Sequence, residues 1–275
     1  MTDEAERRVS NFYNTVGWSE QEGVTEDARR WEDLRPAADK YVRDSRLRVL
    51  RHIPESGDKI LDMASGPIQY PEYLEYSRNF NKRYCVDLSA DALAKARERI
   101  GGHGEFLCSS FFDIELPEDF FDCAVSLHTI YHMDSDKQEE AVRKLLHVTK
   151  PGKPVIVVYS NPNAIPLTLK ALIPFRKQFK AWRRKRRGQG DKIYFQPHPV
   201  DWWYRFRDVA DVHIYPWRSF TSTDQKRWFP DNGFGSWMFD KLFQLEERYP
   251  DFFIRHFRYP MIVLTKAAAG ESGTA

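Results

Sequence analysis

The sequence predicts an α/β protein, a three-layer α/β/α sandwich in which a doubly wound, mostly parallel sheet of seven strands lies between helices. The first observation is that short apolar runs alternate with helix-like segments from about residue 57 to residue 160. Strands separated by helices indicate βαβ units, whose parallel sheet is covered on both faces. The second is that two more apolar runs, Val212–Tyr215 and Met261–Leu264, follow on either side of an aromatic-rich stretch. The composition, 41% hydrophobic and 30% charged, allows a sizeable core.

The five strands of the βαβ region are bounded by turn formers and by helix signals. Ser89 is placed to cap a helix over Ala90–Ile100, and a second helix from about Lys137 to Val148 ends before Pro151. The last of the five strands is the richest in β-branched residues. The predicted strands are Lys59–Met63, Tyr84–Val86, Glu105–Cys108, Asp122–Leu127 and Val155–Tyr159.

The pattern changes outside this region, which indicates how the chain is organised. The first fifty residues are predicted to be helical, with an interruption at Pro36, and the segment after residue 160 is apolar and then strongly basic. We expect the tail after Lys266 to be disordered. The predicted units are an N-terminal helical lid (1–52), the core (53–160), an inserted cap (161–210), the closing strands of the core (211–266) and the tail (267–275).

Charge, cysteine usage and hydropathy disfavour several classes of protein. A net charge of +2, from 42 basic and 40 acidic side chains, does not favour nucleic-acid binding, which normally shows as a strong basic excess. Cys85, Cys108 and Cys123 lie in predicted strands without the paired spacing of a zinc site, so we expect buried thiols and no metal. The N-terminus lacks an apolar signal core and no apolar run is long enough to span a bilayer, which predicts a cytoplasmic protein.

The loop after the first predicted strand is where a doubly wound sheet binds its ligand. Asp62 begins a run of small residues there, and Asp87 closes the second strand, where a carboxylate can accept both hydroxyl protons of a ribose. The glycine fingerprint of dinucleotide sites is incomplete, because Ala64 and Gln69 stand at two of its three positions and only Gly66 is present. A cationic nucleoside cofactor without a pyrophosphate therefore fits better. The alternative is that Asp62 merely caps a turn that Gly66 permits.

Four segments, in order, resemble the successive motifs of class I S-adenosylmethionine-dependent methyltransferases. They are LDMASGPIQY, YCVDLS, FFDCAVSLHTIYHM and VTKPGKPVIVVYS, and they cover roughly residues 55–160. Asp62 and Gly66 match the acidic residue and the central glycine of the first motif, whereas Ala64 and Ile68 replace its outer glycines. Asp87 matches the acidic residue that holds the ribose in the family. The resemblance implies the same fold, S-adenosylmethionine as cofactor and methyl transfer as the activity.

The resemblance also implies which residues contact the cofactor. The first loop and the end of the second strand supply most of them, and Ser110 with Phe111 falls where the family usually contacts adenine. The predicted cofactor-binding residues are Asp62, Ala64, Ser65, Gly66, Asp87, Leu88, Ser110, Phe111 and Ser126.

A general base is needed in methyl transfer only when the acceptor carries a proton that must leave. Such a base is expected past the fourth strand, where the segment SLHTIYH lies. The resemblance implies His132 most directly, and His128 is the second catalytic candidate. The alternative for either histidine is a structural role, in which the ring hydrogen-bonds a neighbouring backbone group.

Aromatic residues indicate where an acceptor binds. Tyr13 and Trp18 resemble the N-terminal lid of related methyltransferases, with ordinary helix packing as the alternative. Six of the eight tryptophans follow residue 160, and an aromatic-rich insertion suits an apolar or carbohydrate face. His198, Trp202 and Trp203 are predicted to touch the acceptor, unless these rings form the core of a small cap.

A strongly basic segment, residues 176–187, contains eight basic side chains and no acidic one. A solvated helix face is the default interpretation of such a run. The alternatives are a phosphate group on the acceptor, RNA, or weak contact with an anionic membrane surface.

These observations together predict an enzyme that methylates an oxygen or nitrogen of a small molecule, with a sugar, a glycolipid precursor or a natural product favoured. An RNA methyltransferase, supported by the basic segment, is one alternative. A catalytically degenerate cofactor-binding partner subunit is the other, because Ala64 and Ile68 depart from the glycine motif. The sequence leaves the oligomeric state open.

Overall fold

A seven-stranded sheet forms the centre of the protein and confirms the predicted three-layer α/β fold. The computed structural model describes residues 17–18, 20–21, 24–165 and 194–267. The strands of the sheet are β1 Gly57–Met63, β2 Phe80–Asp87, β3 Gly104–Cys108, β4 Cys123–Leu127, β5 Pro154–Val158, β6 Ala210–Arg218 and β7 Tyr259–Lys266. Their spatial order is β3-β2-β1-β4-β5-β7-β6.

The strand order determines where a ligand can bind. Strands β1 to β5 are parallel, and β7 is antiparallel to both of its neighbours, β5 and β6. The chain runs outward in one direction from β1 through β2 to β3, and in the other direction from β4. The order therefore reverses between β1 and β4, and ligands of doubly wound sheets bind past the carboxyl ends of the strands at such a point.

Helices cover the sheet. The α-helices are α1 Glu26–Trp31, α2 Asp39–Leu47, α3 Pro71–Glu75, α4 Ala90–Ile100, α5 Gln138–Val148, α6 Ser222–Trp228, α7 Gly233–Arg248 and α8 Pro250–His256. The 3-10 helices are Pro36–Ala38, Arg48–Arg51, Gly101–His103, Ile130–His132 and Val200–Asp208. Ser89 caps α4 as predicted, because its side chain accepts a hydrogen bond from the Ala92 backbone N–H at 3.2 Å.

Two regions differ from the predicted organisation. Before α1, the pairs Glu20–Gln21 and Val24–Thr25 form a short antiparallel hairpin, where the sequence predicts helix. Between β6 and β7, where the sequence shows only an aromatic-rich stretch, the chain forms α6, α7 and α8. The helical periodicity of α7 is obscured because large apolar side chains such as Phe234 and Trp237 lie on its exposed face.

Apolar side chains alternate between the two faces of the sheet and form a core on each. Leu61 and Val157 belong to the cluster that packs against α5, whereas Ile60 and Ile156 belong to the cluster on the opposite face. This alternation holds the central strands rigidly, so the loops at their carboxyl ends have a fixed base.

The cysteines follow the prediction in part. Cys85 and Cys123 are buried within the sheet, but Cys108 is exposed at the end of the edge strand β3, so the expectation of three buried thiols is wrong there. Of the helices that the structure describes, none is both long and apolar enough to cross a membrane.

Candidate functional site

A cavity of about 940 Å³ opens at the carboxyl ends of β1, β2 and β4. Its volume lies within the range of ordinary small-molecule sites. The sequence-predicted residues that line it are Trp18, Asp62, Ala64, Ser65, Gly66, Asp87, Leu88, His128 and His132. The residues that follow β1 and β2 form one half of the wall, the cofactor half. The residues that follow β4, together with β6 and β7, form the other half, the acceptor half.

Several other predicted residues lie away from the cavity wall. Ser126 is fully buried in β4 with its hydroxyl toward the Met63 sulfur, and Phe111 is part of the core. Ser110 is buried and accepts a hydrogen bond from the backbone N–H of Phe112. These three residues, predicted to bind the cofactor, do not line the cavity, and their role toward the cofactor stays a prediction.

The aromatic segment after residue 196 is also placed differently from the prediction. The rings of His198 and Trp202 stack at 4.4 Å, and the His198 Nε2 lies 3.1 Å from the Ser135 carbonyl oxygen. Trp203 is fully buried in the core against Tyr159. None of the three lines the cavity. Tyr13 and the basic segment 176–187 lie outside the described residues.

The loop after β1 has a left-handed backbone at alternate positions. The φ angles are 60° at Ala64, 55° at Gly66 and 52° at Ile68. These are the positions at which the family that the sequence resembles has glycines. The loop therefore keeps the backbone conformation of glycine although Ala64 and Ile68 replace two of the three glycines. A β-branched residue at positive φ is unusual and strained. The Ile68 side chain is fully buried near Leu93, which offsets part of that strain.

Trp18 covers this loop. A Cβ atom added to Gly66 would lie 3.1 Å from the Trp18 ring, so a side chain at that position would meet the indole as well as the unfavourable φ. Lys95 holds the tryptophan in place, because its Nζ donates a hydrogen bond to the Trp18 carbonyl oxygen at 2.6 Å. The glycine thus leaves a narrow space between backbone and ring.

Asp87 is held by backbone donors at the end of β2. Its two carboxylate oxygens accept hydrogen bonds from the N–H groups of Gly66 and Ser89, both at 2.8 Å. Burial raises the pKa of Asp87 to about 6, although these hydrogen bonds favour the charged form. Each carboxylate oxygen has a second lone pair, so the group can still accept hydrogen bonds from a ligand.

Asp62 has a partner that the sequence reasoning missed. Its Oδ2 pairs with the guanidinium of Arg83, whose Nε lies 3.1 Å away, and both side chains are buried. Arg83 also donates to the carbonyl oxygen of Tyr73 at 2.5 Å. The charge of Asp62 is therefore balanced inside the protein. The predicted second strand, Tyr84–Val86, starts one residue after Arg83, whereas the observed β2 includes Arg83 and lies next to β1.

His132 has a defined tautomer. Its Nδ1 lies 2.5 Å from the carbonyl oxygen of Tyr194. A carbonyl oxygen only accepts hydrogen bonds, so Nδ1 carries the proton and Nε2 carries the lone pair. Burial lowers the pKa of His132 to about 4, which keeps the ring neutral at physiological pH.

His128 is more enclosed. Its Nδ1 lies 3.0 Å from the Tyr131 hydroxyl, and its ring meets the edges of Trp217 at 4.6 Å and Tyr259 at 5.2 Å. Its φ of 60° is left-handed. Burial, followed by the charge of Arg218, lowers its pKa well below the usual range.

Charged side chains from distant parts of the chain meet beside the acceptor half. Glu32 is buried and accepts hydrogen bonds from Arg46, at 2.6 Å, and from Arg218. Although burial raises it, the charges of Arg218 and Arg46 hold the pKa of Glu32 below its usual value. No sequence signal links these residues, since Glu32 and Arg218 are 186 positions apart.

The central part of the chain matches the model of a known protein family. Residues 61–157 match the model of a family described as a methyltransferase domain. This match contains the β1 loop, Asp87, His128 and His132 together. No curated protein matches the sequence.

Solved structures share the fold at low sequence identity. Geranyl diphosphate C-methyltransferase from Streptomyces coelicolor A3(2) is 13% identical, with a TM-score of 0.57 over 97% of this chain and 99% of that chain. A SAM-dependent methyltransferase from Archaeoglobus fulgidus is 14% identical, with a TM-score of 0.52 over 82% and 93%. The [4+2]-cyclase SpnF is 16% identical, with a TM-score of 0.55 over 98% of both chains.

Residues 61–157 thus match a methyltransferase domain, and the chain has the fold of solved methyltransferase structures. Since one structure with this fold is a cyclase, the activity is carried by the family match and not by the fold. The domain match therefore indicates a methyltransferase with S-adenosylmethionine as its cofactor, as the resemblance implies.

Proposed function

We propose that the enzyme methylates an oxygen or nitrogen atom of a small-molecule acceptor, with His132 as general base. The observation that carries this proposal is the fixed tautomer of His132 in the wall of the same cavity as Asp87. A small aromatic or carbohydrate-bearing molecule, such as a sugar, a glycolipid precursor or a natural product, suits the aromatic wall.

The cofactor half fits S-adenosylmethionine. Asp87 would hold the two ribose hydroxyls, since each of its oxygens has a lone pair beyond the backbone hydrogen bond that it accepts. Ser65, Gly66 and Leu88 would border the nucleoside under Trp18. The bound cofactor supplies an electrophilic methyl group, which the protein does not need to activate further.

The acceptor half would then orient the acceptor and remove its proton. The Nε2 lone pair of His132 can take the proton that leaves an O–H or N–H group, and the hydrogen bond from Nδ1 to Tyr194 stabilises the ring orientation while it does so. The rings of Tyr131, Phe195 and Trp217 line this half and would limit the access of water to a bound acceptor.

The cavity favours a small molecule over RNA. Its acceptor half is walled by aromatic side chains, and the chain as a whole has a net charge of only +2. The cytoplasmic location and the weak contact of residues 176–187 with anionic membranes stay predictions, and flotation with anionic vesicles at low and moderate salt tests the second.

Methyl transfer to fractionated cell extract, with a labelled methyl group on the cofactor, tests the proposed function. We expect label in a fraction of low molecular mass, and little of it with His132→Gln. Label confined to RNA would contradict the small-molecule proposal. Transfer to no fraction, with cofactor affinity intact, would support the degenerate-subunit alternative.

A further inference from the structure

We propose that the acceptor carries an anionic oxygen group, a carboxylate or phosphate, which Arg258 binds, while Phe195 and Tyr259 contact an unsaturated body. This inference deepens the proposed function and rests on it. It starts from Arg258, a cavity-lining residue immediately before β7, at a position that the sequence does not single out.

Arg258 is held in the wall by several contacts. Its Nη1 donates to the carbonyl oxygen of Asn161 at 3.2 Å, and its backbone N–H donates to the Ser219 carbonyl oxygen at 3.0 Å. Its guanidinium lies over the Phe195 ring, 5.1 Å from the centroid, and 5.8 Å from that of Tyr259. Such stacking fixes the plane of the guanidinium, so a ligand meets a preoriented fork of donors.

Arg258 differs from the other cavity arginines in its partners. Arg218 is paired with Glu32, and Arg30 with Glu26. Arg258 forms no ion pair with a carboxylate among the residues that the structure describes. Its Nε, like that of Arg218, is buried and has no hydrogen-bond acceptor, but Arg218 has a carboxylate partner and Arg258 does not. A buried guanidinium N–H without an acceptor is unfavourable, and an anionic ligand oxygen would satisfy it.

Beside the acceptor half, the guanidinium groups of Arg46, Arg218 and Arg258 outnumber the two carboxylates that pair with them. Glu32 pairs with both Arg46 and Arg218, Glu72 pairs with Arg46, and Arg258 has no carboxylate partner among the described residues. The effect extends to His128, whose pKa is lowered first by burial and then by positive charges that include Arg218 and Arg258. A cationic acceptor would meet this field unfavourably, whereas an anion is attracted to it.

The distances connect Arg258 to the proposed base. Both side chains lie near the Phe195 ring, whose centroid is 5.1 Å from the Arg258 guanidinium and 6.0 Å from the His132 ring centroid. A molecule of about one substituted ring, lying against Phe195, can reach both ends through a hydrogen bond at each. The acceptor atom and the anionic group would then stand on opposite sides of a single ring.

Calorimetric titration of the protein saturated with S-adenosylhomocysteine tests the inference with matched probes. The probes are 4-hydroxybenzoate against 4-hydroxybenzamide, and phenyl phosphate against phenol. We expect at least one anion to bind about tenfold or more tightly than its neutral counterpart, about 1.4 kcal/mol. The stronger of the two anions identifies a carboxylate or a phosphate site.

Variants separate Arg258 from the general charge of the protein. Arg258→Gln should abolish the preference for the anion and leave S-adenosylhomocysteine affinity unchanged, which also shows that the variant is folded. Arg258→Lys should retain part of the preference for the anion, since lysine keeps the positive charge but lacks the planar set of guanidinium donors. Arg255→Gln, an exposed arginine on α8, is the matched control and should behave like the parent.

Three results would overturn the inference. They are equal binding of anionic and neutral probes, binding of no probe at millimolar concentration, and an anion preference that survives in Arg258→Gln. In each case methyl transfer with His132 as base can still stand, because it is measured separately with labelled cofactor. Failure to bind S-adenosylhomocysteine would instead contradict the assignment of the cofactor half.

Discussion

The cofactor half and the acceptor half of the cavity are built in different ways. The cofactor half consists of two loops that directly follow β1 and β2, and its main contacts are backbone groups, as at Asp87. The acceptor half combines side chains from four distant segments, exemplified by Tyr131, Phe195, Trp217 and Arg258. The first half depends on local backbone conformation, which short motifs encode, whereas the second depends on tertiary packing. The difference predicts that substitutions in the two halves change different measurable quantities.

The largest expected effect is on turnover, in the acceptor half. His132→Gln removes the Nε2 lone pair but keeps a donor that can reach the Tyr194 carbonyl oxygen. Turnover should fall by roughly 10²–10⁴-fold, with S-adenosylhomocysteine affinity unchanged. His147→Gln, an exposed histidine on α5, is the control and should retain parental turnover.

The second histidine sharpens this prediction. Asparagine tolerates the positive φ of His128, so His128→Asn should not strain the backbone. A large loss of turnover in this variant would therefore indicate a catalytic role for His128. Activity within a few-fold of the parent for both His132→Gln and His128→Asn would rule out the general-base role.

Breaking the buried ion network should cost stability. Glu32→Ala leaves Arg46 and Arg218 without their shared carboxylate in a buried environment. The free energy of unfolding should fall by about 3–5 kcal/mol, measured by urea denaturation. Glu75→Ala, which removes an exposed pair with Arg78, should change it by less than about 1 kcal/mol. Equal losses in the two variants would mean that water satisfies the arginines of the network.

In the cofactor half, the expected effect is on affinity. Asp87→Ala should weaken S-adenosylhomocysteine binding by about 1.5–3 kcal/mol, because charge-assisted hydrogen bonds to the ribose are lost. Calorimetry measures the change, and turnover at saturating cofactor should fall much less. Parental affinity in a folded variant would place the cofactor elsewhere.

The same carboxylate predicts a pH dependence. The pKa of Asp87 is raised to about 6, and ribose hydroxyls donate to its ionised form. Affinity should therefore be full well above pH 6 and fall as the pH drops through that value, by up to about tenfold per unit. Binding below this pH should release a proton, which calorimetry in two buffers of different ionisation enthalpy detects. Asp87→Asn should bind weakly and without this dependence.

The difference between the two halves also explains which parts of the fold and of the cavity could be predicted from the sequence. Alternating apolar runs and the Ser89 cap are local signals, so the sheet, α4 and α5 could be predicted closely. The β1 loop and Asp87, which line the cavity, could be proposed as site residues for the same reason. Glu32 and Arg258 could not be found, because their roles arise from contacts with residues far away in the chain.

Tryptophan content was a misleading signal for the acceptor site. Trp202 and Trp203 were predicted to touch the acceptor on aromatic density, yet Trp203 is fully buried in the core. Trp217 lines the cavity, but no motif around it in the sequence distinguishes it from the other tryptophans. Aromatic density indicates burial, and the fold decides which of these rings meets a ligand.

The smallest expected effect is on the stability of the β1 loop. If the cofactor half depends on local backbone conformation, the backbone of this loop should contribute more to the free energy of unfolding than its side chains do. Ala64 adopts a φ of 60°, which costs an L-residue roughly 1–2 kcal/mol relative to glycine. Ala64→Gly removes this strain, but glycine also gives the unfolded chain more conformational entropy, which offsets about 0.5–1 kcal/mol of the gain in stability. The variant should therefore be more stable than the parent by at most about 1 kcal/mol, as a shift of the urea midpoint.

Gly66→Ala is the counterpart at the adjacent left-handed position. It introduces both the unfavourable φ and a contact with the Trp18 ring at 3.1 Å, so it should destabilise the protein and weaken S-adenosylhomocysteine binding. Opposite signs for the two variants would confirm that the loop is limited by backbone conformation. A loss of more than about 1 kcal/mol in Ala64→Gly would show instead that the packing of the Ala64 methyl group against the core dominates.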